Sequence, residues 1–215
     1  MREREIVSFN GAPGSGKSTK MRERMAKHGR AVVIDPSPDK DDGWRRAGYA
    51  RCCDLPELSA AMASRFRGTW RFVWTPPADA CGEALHELSR LLFAYQEREP
   101  LRKPIALGVD EMAECNSIAQ ERTSSLSGFR RLLLQGRHVE VSIYGATQRP
   151  QDVGTRFRDN AGQSYFFELY GDAARDAVLA KIGREYRAQY LSLQRFEYLF
   201  FDRGRVVKGC TRKGA

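Results

Sequence analysis

Short apolar runs rich in β-branched and aromatic residues alternate along the chain with segments whose apolar residues recur every three or four positions. The runs that predict β-strands cover residues 5–9, 31–35, 70–75, 104–110, 139–147 and 164–169. Strands separated by helical segments are typical of βαβ units, in which neighbouring strands are parallel and the crossover helices cover the sheet. The pattern therefore predicts an α/β fold with a largely parallel sheet and helices on both faces.

Two of the helical segments carry boundary residues. Asp79 precedes a run of helical periodicity that continues to Pro100, a residue that a helix interior does not tolerate. Asp172 and Gly183 bracket a second run, because an acidic residue favours the start of a helix and glycine its end. Both runs are predicted to form helices.

The C-terminal part of the chain has a different pattern. Residues 196–209 predict a β-hairpin that turns at Arg203-Gly204, whereas residues 35–48 are expected to form a long loop. With 215 residues and 41% hydrophobic content, the chain can build one substantial core. We expect a single domain over residues 1–215.

Charge and cysteine content narrow the setting. Lys and Arg number 36 against 27 Asp and Glu, and the net charge of +9 favours a polyanionic partner such as nucleic acid. The 5 cysteines form no C-x-x-C pair, so neither a zinc site nor a disulfide framework is predicted. The sequence contains no membrane-length apolar run and begins with no signal-peptide pattern, so we expect a soluble, cytoplasmic protein.

A glycine-rich loop follows the first predicted strand. NGAPGSGKST, residues 10–19, contains G-x-x-x-x-G-K-[ST] between a strand and a helix, the context that this phosphate-binding pattern requires. Glycines let backbone N–H groups turn toward the β-phosphate, Lys17 can act between the β- and γ-phosphates, and Ser18 can ligate Mg²⁺. The predicted nucleotide-binding residues are Gly11, Ala12, Pro13, Gly14, Ser15, Gly16, Lys17, Ser18 and Thr19.

Two carboxylates end the apolar run IALGVDE, residues 105–111. Asp110 is expected beside Ser18, where it would hold Mg²⁺ through water. Glu111 is then available as the general base for the water that attacks the γ-phosphate. Such a division of roles predicts hydrolysis, since a kinase must exclude water. A purely structural alternative is that both residues cap the following segment.

Polar residues also end the run over residues 139–147. The strand would deliver Thr147 and Gln148 next to the γ-phosphate position. An amide there can hydrogen-bond the phosphate or the attacking water, and so distinguish ATP from ADP. Gln148 is therefore the predicted sensor.

Together, GAPGSGKS, the VIDP strand (residues 33–36), the VDE strand end and the GRH…ATQRPQDV…RDNA stretch (residues 136–161) resemble the FtsK/HerA superfamily of P-loop ATPases. The resemblance implies a RecA-like (ASCE) P-loop NTPase core that binds ATP and Mg²⁺. It also implies a homo-oligomeric ring that moves double-stranded DNA, gripping the backbone without reading sequence. The compact chain is most similar to the ATPases that package genomes of internal-membrane double-stranded DNA viruses. Such a motor would work in the host cytoplasm, docked on capsid or portal-vertex proteins.

The resemblance further implies an arginine that acts on the nucleotide of a neighbouring subunit. Arg137, shortly before the glutamine-bearing strand, is the matching residue. It would neutralise charge that develops on the transferred phosphoryl group. Arg149, Arg156 and Arg158 are alternative candidates for this role or for a contact with DNA.

DNA phosphates would require basic residues on exposed loops. The candidate residues are Lys40, Trp44, Arg45 and Arg46 in one segment and Arg122, Arg130 and Arg131 in another. A solvated charged surface is the alternative explanation for both segments. Trp70 and Trp74, on a predicted strand, are expected in the core or at an interface.

Two other functions remain open at this level. GAPGSGKST also resembles the loop of adenylate-kinase-like enzymes, which makes a small-molecule or nucleotide kinase one alternative. Glu111, the ATQRP segment and the lack of an arginine-rich lid argue against it. A non-DNA ATPase of phage assembly or secretion is the other alternative, although relatives of that kind carry a membrane segment.

Overall fold

The computed structural model describes residues 4–36, 43–98, 103–123 and 127–211. Within these ranges, 9 strands form one sheet in the order β3-β4-β2-β5-β6-β1-β7-β8-β9. The strands are β1 (Ile6–Asn10), β2 (Arg30–Ile34), β3 (Ala50–Cys52), β4 (Trp70–Trp74), β5 (Ile105–Asp110), β6 (Val141–Thr147), β7 (Gln163–Phe167), β8 (Glu197–Asp202) and β9 (Arg205–Cys210). Neighbouring strands from β3 to β7 are all parallel, and the β8–β9 hairpin joins β7 antiparallel.

Helices connect most of the strands. They are α1 (Lys17–Met25), α2 (Gly43–Arg46), α3 (Leu55–Ser64), α4 (Cys81–Arg98), α5 (Met112–Cys115), α6 (Ile118–Glu121), α7 (Ser127–Gln135), α8 (Thr155–Asn160), α9 (Asp172–Ile182) and α10 (Arg187–Leu191), with short 3-10 turns at Ala78–Ala80 and Arg184–Tyr186. None of the helices in the described part of the chain is long and apolar enough to cross a membrane.

The strands predicted from the apolar runs are all present, with ends displaced by at most one or two residues. The two helices with boundary residues are also confirmed as α4 and α9, and Gly183 ends α9 with a φ of 104°. The predicted hairpin turns where expected: Arg203 and Gly204 have φ angles of 48° and 91°, the pair of positive values that a tight two-residue turn requires.

The sequence pattern missed the segment around β3. This strand has only 3 residues, too few to show an alternating pattern, and it pairs with β4 at the edge of the sheet. Within the loop expected over residues 35–48 the structure has α2, and residues 37–42 lie outside the described ranges.

The two faces of the sheet pack against different helices. Val33 of β2 belongs to the same buried cluster as Met21 of α1, whereas its neighbour Val32 packs on the opposite face with Leu88 of α4. Alternate residues of a strand point to opposite faces, so a strand covered on both sides is apolar throughout. α1 can approach β5 closely because Gly108 has no side chain; a Cβ there would lie 2.8 Å from Cε of Met21.

A charged network ties the residue before β1 to α1 and β6. The carboxylate of Glu5 accepts hydrogen bonds from Lys27 Nζ at 2.7 Å and from the Tyr144 hydroxyl at 2.8 Å, and it pairs with Arg24 at 3.1 Å. Burial of Glu5 opposes ionisation, but these donors and positive charges outweigh it and hold the pKa of the carboxyl below its ordinary 4.5.

Candidate nucleotide-binding site

The glycine-rich loop connects β1 to α1 at the edge of the sheet where the parallel strands end, the usual place for ligands in α/β proteins. Gly14 and Gly16 have φ angles of 69° and 102°, which side chains rarely allow. Gly11 is needed because of close packing, since a Cβ there would lie 2.7 Å from Cβ of Phe167. The loop shape therefore depends on glycine at these positions.

Backbone hydrogen bonds anchor the start of the loop to two strand ends. The amide of Gly11 donates to the carbonyl of Thr147 at 3.1 Å, and the amide of Ala12 donates to that of Glu168 at 2.8 Å. The loop is thereby held between the ends of β6 and β7, and its position relative to the sheet is set by main-chain contacts.

Lys17 begins α1 and is only 8% exposed. No acidic side chain among the described residues pairs with its ammonium group. A buried charge without a counter-ion is destabilising, and the amides in the first turn of α1 have no partner within the helix. The lysine and the helix N-terminus together supply positive charge that suits a phosphate chain.

The serine of the loop and the first strand-end carboxylate meet directly. Ser18 Oγ donates to Asp110 Oδ1 at 3.0 Å, although the two residues are far apart in sequence. The second carboxylate oxygen, Oδ2, accepts a hydrogen bond from the indole nitrogen of Trp44 at 3.1 Å. Asp110 is thus held from both sides, with its carboxylate beside the hydroxyl of Ser18.

Glu111, the second strand-end carboxylate, has a strained backbone. Its φ of 106° and ψ of 72° lie in the left-handed region that side chains avoid. Its Oε1 accepts hydrogen bonds from the Thr147 hydroxyl at 2.7 Å and from the backbone N–H of Gln148 at 3.2 Å. The carboxylate of Glu111 is therefore linked to the end of β6, where the predicted sensor begins.

Gln148 is exposed and directly follows β6. Asn10, Asp110 and Thr147 end the neighbouring strands β1, β5 and β6 in register, so Gln148 lies at the same edge of the sheet as these residues. The structure brings Lys17, Ser18, Asp110, Glu111 and Gln148 together around the loop.

Arg137 does not belong to this group. It is exposed in the loop between α7 and β6, at the start of the strand rather than its end. β6 has 7 residues, which at the usual rise per residue separates Arg137 from the phosphate loop by about 20 Å. The side chain cannot span that distance within its own subunit.

Two of the three alternative arginines form ion pairs within the protein. Arg149 pairs with Glu114 at 3.6 Å, and Arg156 pairs with Glu121 at 3.9 Å while its amide donates to the same carboxylate. Arg158 is half-buried on α8.

Of the three arginines suggested for DNA contact in the second segment, two line a cavity and one contacts neighbouring side chains. Arg122 and Arg130 are exposed and line, with Arg156, an open cavity of ≈ 440 Å³. Arg131 instead lies 3.8 Å over the ring of Phe93 and pairs with Glu97.

The suggestion that Trp44 faces DNA is wrong. Trp44 is 1% exposed, and its ring packs in the core while its nitrogen binds Asp110. Arg45 and Arg46 are exposed on the same short helix, and Lys40 lies outside the described residues. Trp70 and Trp74 are buried, as expected for core residues.

Sequence reasoning missed two residues at the site. Trp44 contacts Asp110 from 66 positions away, and Arg195 donates from Nε to the carbonyl of Gly14 at 3.3 Å across 181 positions. No local pattern marks either residue, because the contact exists only in the folded chain.

The loop, the acidic strand β5 and the strand β6 that separates β5 from β1 define the P-loop NTPase fold. This confirms the fold predicted from the sequence.

The sequence matches no protein-family model and none of the curated proteins. Solved structures do match over nearly the whole chain. The genome-packaging NTPase B204 from Sulfolobus turreted icosahedral virus 2, in complex with AMP, has a TM-score of 0.71 at 18% identity, covering 99% of this chain and 98% of that one. B204 from Sulfolobus turreted icosahedral virus, described as a DNA-packaging ATPase, has a TM-score of 0.73 at 16% identity, covering 97% and 98%.

VirB4 of Thermoanaerobacter pseudethanolicus is a third match, with a TM-score of 0.66 at 12% identity, covering 97% of this chain and 89% of that one. B204 from Sulfolobus turreted icosahedral virus 2 has also been solved with AMPPCP and with ATP-gammaS. These likenesses show that the chain shares its fold with these proteins.

Proposed function

We propose that the protein is an ATPase that forms a homo-oligomeric ring and moves double-stranded DNA, with the packaging of a viral genome as its role. The observation that carries the proposal is the direct contact between Ser18 and Asp110 beside Lys17 and Glu111, on a fold shared with viral packaging NTPases. The site supplies the groups that ATP hydrolysis needs, and the fold supports the class of motor.

Ser18 and Asp110 fit a magnesium ion. Their hydroxyl and carboxylate oxygens are the hard ligands that Mg²⁺ prefers, and such ions are usually held by one or two protein groups together with phosphates and water. When bound, Mg²⁺ would neutralise negative charge on the β- and γ-phosphates. Trp44 keeps the carboxylate of Asp110 turned toward Ser18.

Glu111 is the proposed general base. It accepts a proton from the water whose oxygen bonds to the γ-phosphorus, while the bond from that phosphorus to the β–γ bridging oxygen breaks and ADP leaves. Gln148 contacts the water or the γ-phosphate. Because Thr147 and Gln148 also hold the carboxylate of Glu111, the base and the sensor strand move together.

Arg137 is proposed to complete the site of a neighbouring subunit. The supporting observation is its exposed position at the opposite edge of the sheet, about 20 Å by strand length from its own phosphate loop. In a ring, one surface of each subunit packs against a different surface of the next subunit. Such a contact would place Arg137 near the neighbour's nucleotide.

Subunit mixing tests this assignment. We expect Arg137→Ala to bind ATP almost normally and to hydrolyse it about 10³-fold more slowly, as for other trans-acting arginines. Lys17→Ala should lose ATP binding but still supply Arg137. Mixing the two inactive variants should then restore part of the hydrolysis, whereas no recovery in mixed oligomers would contradict a trans role.

DNA is the proposed substrate of the motor. The net charge of +9 and the exposed Arg45, Arg46, Arg122 and Arg130 support contact with phosphates. The deciding experiment measures oligomeric state and ATPase rate with and without double-stranded DNA at two salt concentrations. We expect stimulation by DNA that falls steeply with salt. Monomers that hydrolyse at full rate and ignore DNA would overturn the proposal.

The same samples separate the two alternatives. Phosphoryl transfer to a nucleoside monophosphate in a coupled assay would identify a kinase. An oligomeric ATPase that neither binds DNA nor responds to it would indicate an assembly or secretion ATPase.

A further inference from the structure

Under the proposed function, Ser18 and Asp110 mark the side of the phosphate loop where the γ-phosphate end of ATP lies. This side faces β6 and β5. The nucleoside must extend to the other side, toward β7 and the β8–β9 hairpin. Arg195 and Phe196, which belong to none of the sequence motifs, meet the loop there.

The two side chains form a layered contact with the loop. The guanidinium of Arg195 lies 4.8 Å over the ring of Phe196, and its Nε donates to the carbonyl of Gly14 at 3.3 Å. The ring of Phe196 reaches Gly16, where its Cδ1 would lie 3.1 Å from a Cβ. Arg195 is exposed, so its side chain is accessible to a ligand.

The backbone of Phe196 is strained. Phe196 has a φ of 71°, in the left-handed region that a bulky residue avoids, and its carbonyl accepts a hydrogen bond from the amide of Thr211 at 2.8 Å. Thr211 is 2% exposed, packs next to Gly16, and its hydroxyl has no hydrogen-bond partner among the described residues. A strained residue and an unsatisfied buried hydroxyl at one side of a phosphate loop are typical of a ligand site.

We propose that Arg195, supported by Phe196, is the platform on which the purine base of the nucleotide stacks. A guanidinium group is planar, always charged and weakly hydrated, so it stacks on aromatic faces more favourably than an ammonium group does. Stacking contacts the face of the base and not its hydrogen-bonding edge. Every base has such a face, and the larger purine rings offer the greater stacking area, so the ligand class is a purine nucleoside triphosphate, with little discrimination between adenine and guanine. This inference rests on the proposed nucleotide binding, and not on DNA translocation.

Calorimetric titration with three ligands tests the platform. ATP, GTP and inorganic tripolyphosphate, each with Mg²⁺, share the phosphate chain but differ in the base. We expect Arg195→Ala to weaken ATP and GTP by a similar factor, roughly 5- to 30-fold, and to leave tripolyphosphate within about twofold of wild type. Arg195→Lys is the matched control: it keeps the charge but not the plane, and it should recover only a small part of the loss.

Other outcomes would overturn the inference. Equal weakening of tripolyphosphate and ATP would mean that Arg195 supports the loop through Gly14 or binds phosphate. Unchanged ATP affinity in Arg195→Ala, or full recovery in Arg195→Lys, would exclude stacking. A wild-type protein that binds tripolyphosphate as tightly as ATP would overturn the base platform alone, whereas one that binds none of the three ligands would overturn the proposed function as well.

Discussion

The left-handed backbone of Glu111 can be tested by a pair of substitutions that differ by one methyl group. Glu111→Ala and Glu111→Gly both remove the carboxylate and therefore lose the same hydrogen bonds from Thr147 and Gln148. They differ only in the Cβ, which is unfavourable at a φ of 106°. The difference in free energy of unfolding between the two variants thus isolates the backbone strain.

The expected difference follows from two opposing terms. A left-handed conformation destabilises a residue with a Cβ by about 1–2 kcal/mol. Glycine loses more conformational entropy on folding, which offsets roughly 0.5–1 kcal/mol of that gain. We therefore expect Glu111→Gly to be more stable than Glu111→Ala by about 0.5–1 kcal/mol. At a position with ordinary backbone angles the order is reversed.

Urea unfolding followed by tryptophan fluorescence measures the difference, since the chain contains 3 tryptophans and those in the described core are buried. Equal slopes of free energy against urea would show that the two variants unfold to the same extent. Glu111→Gln keeps the strain and most of the side chain, and it reports the loss of charge separately. A Glu111→Ala protein more stable than Glu111→Gly by about 0.5 kcal/mol or more would refute the strained backbone.

Three further predictions concern the site and the charged network around Glu5. Trp44→Phe keeps an aromatic ring in the core but removes the hydrogen bond to Asp110, so we expect hydrolysis to require about tenfold more Mg²⁺, measured by titrating the metal at saturating ATP. Gly11→Ala places a Cβ 2.7 Å from Cβ of Phe167, so stability should fall by about 1–3 kcal/mol and ATP should no longer raise the melting temperature. Glu5 has a lowered pKa in the folded state, so its charge contributes stability above its ordinary 4.5 that is lost as the pH falls through the folded value. Glu5→Gln should therefore be less stable than wild type at pH 7, and the difference in free energy of unfolding should shrink as the pH falls below 4.5 toward the lowered folded pKa, measured by urea unfolding. A difference that is constant with pH would contradict the ionic contribution.

Much of the site could be predicted because it is built at strand ends. Ser18 follows the loop after β1, and Asp110 and Thr147 end β5 and β6. The carboxyl ends of parallel strands meet at one edge of a sheet, so residues at three strand ends become neighbours whatever the details of packing. Ser18 and Asp110 are indeed hydrogen bonded.

Trp44 shows where such reasoning stops. It lies in a segment expected to be a loop, and the basic residues around it suggested an exposed surface for DNA. The structure buries it to 1% exposure, because a short helix turns its ring into the core beside α1. The composition of a short segment carries no information about the surface on which that segment folds.

The sequence by itself determined the alternation of strands and helices, the phosphate loop, the hairpin turn and the edge of the sheet at which polar residues gather. These features depend on local periodicity, on glycine geometry and on the common direction of parallel strands. Only the tertiary structure decided that Trp44 binds Asp110, that Thr147 donates to the carboxylate of Glu111, and that Arg195 reaches Gly14. Such contacts join segments that are distant along the chain, so they arise from how helices and the hairpin pack on the sheet, which no local pattern encodes.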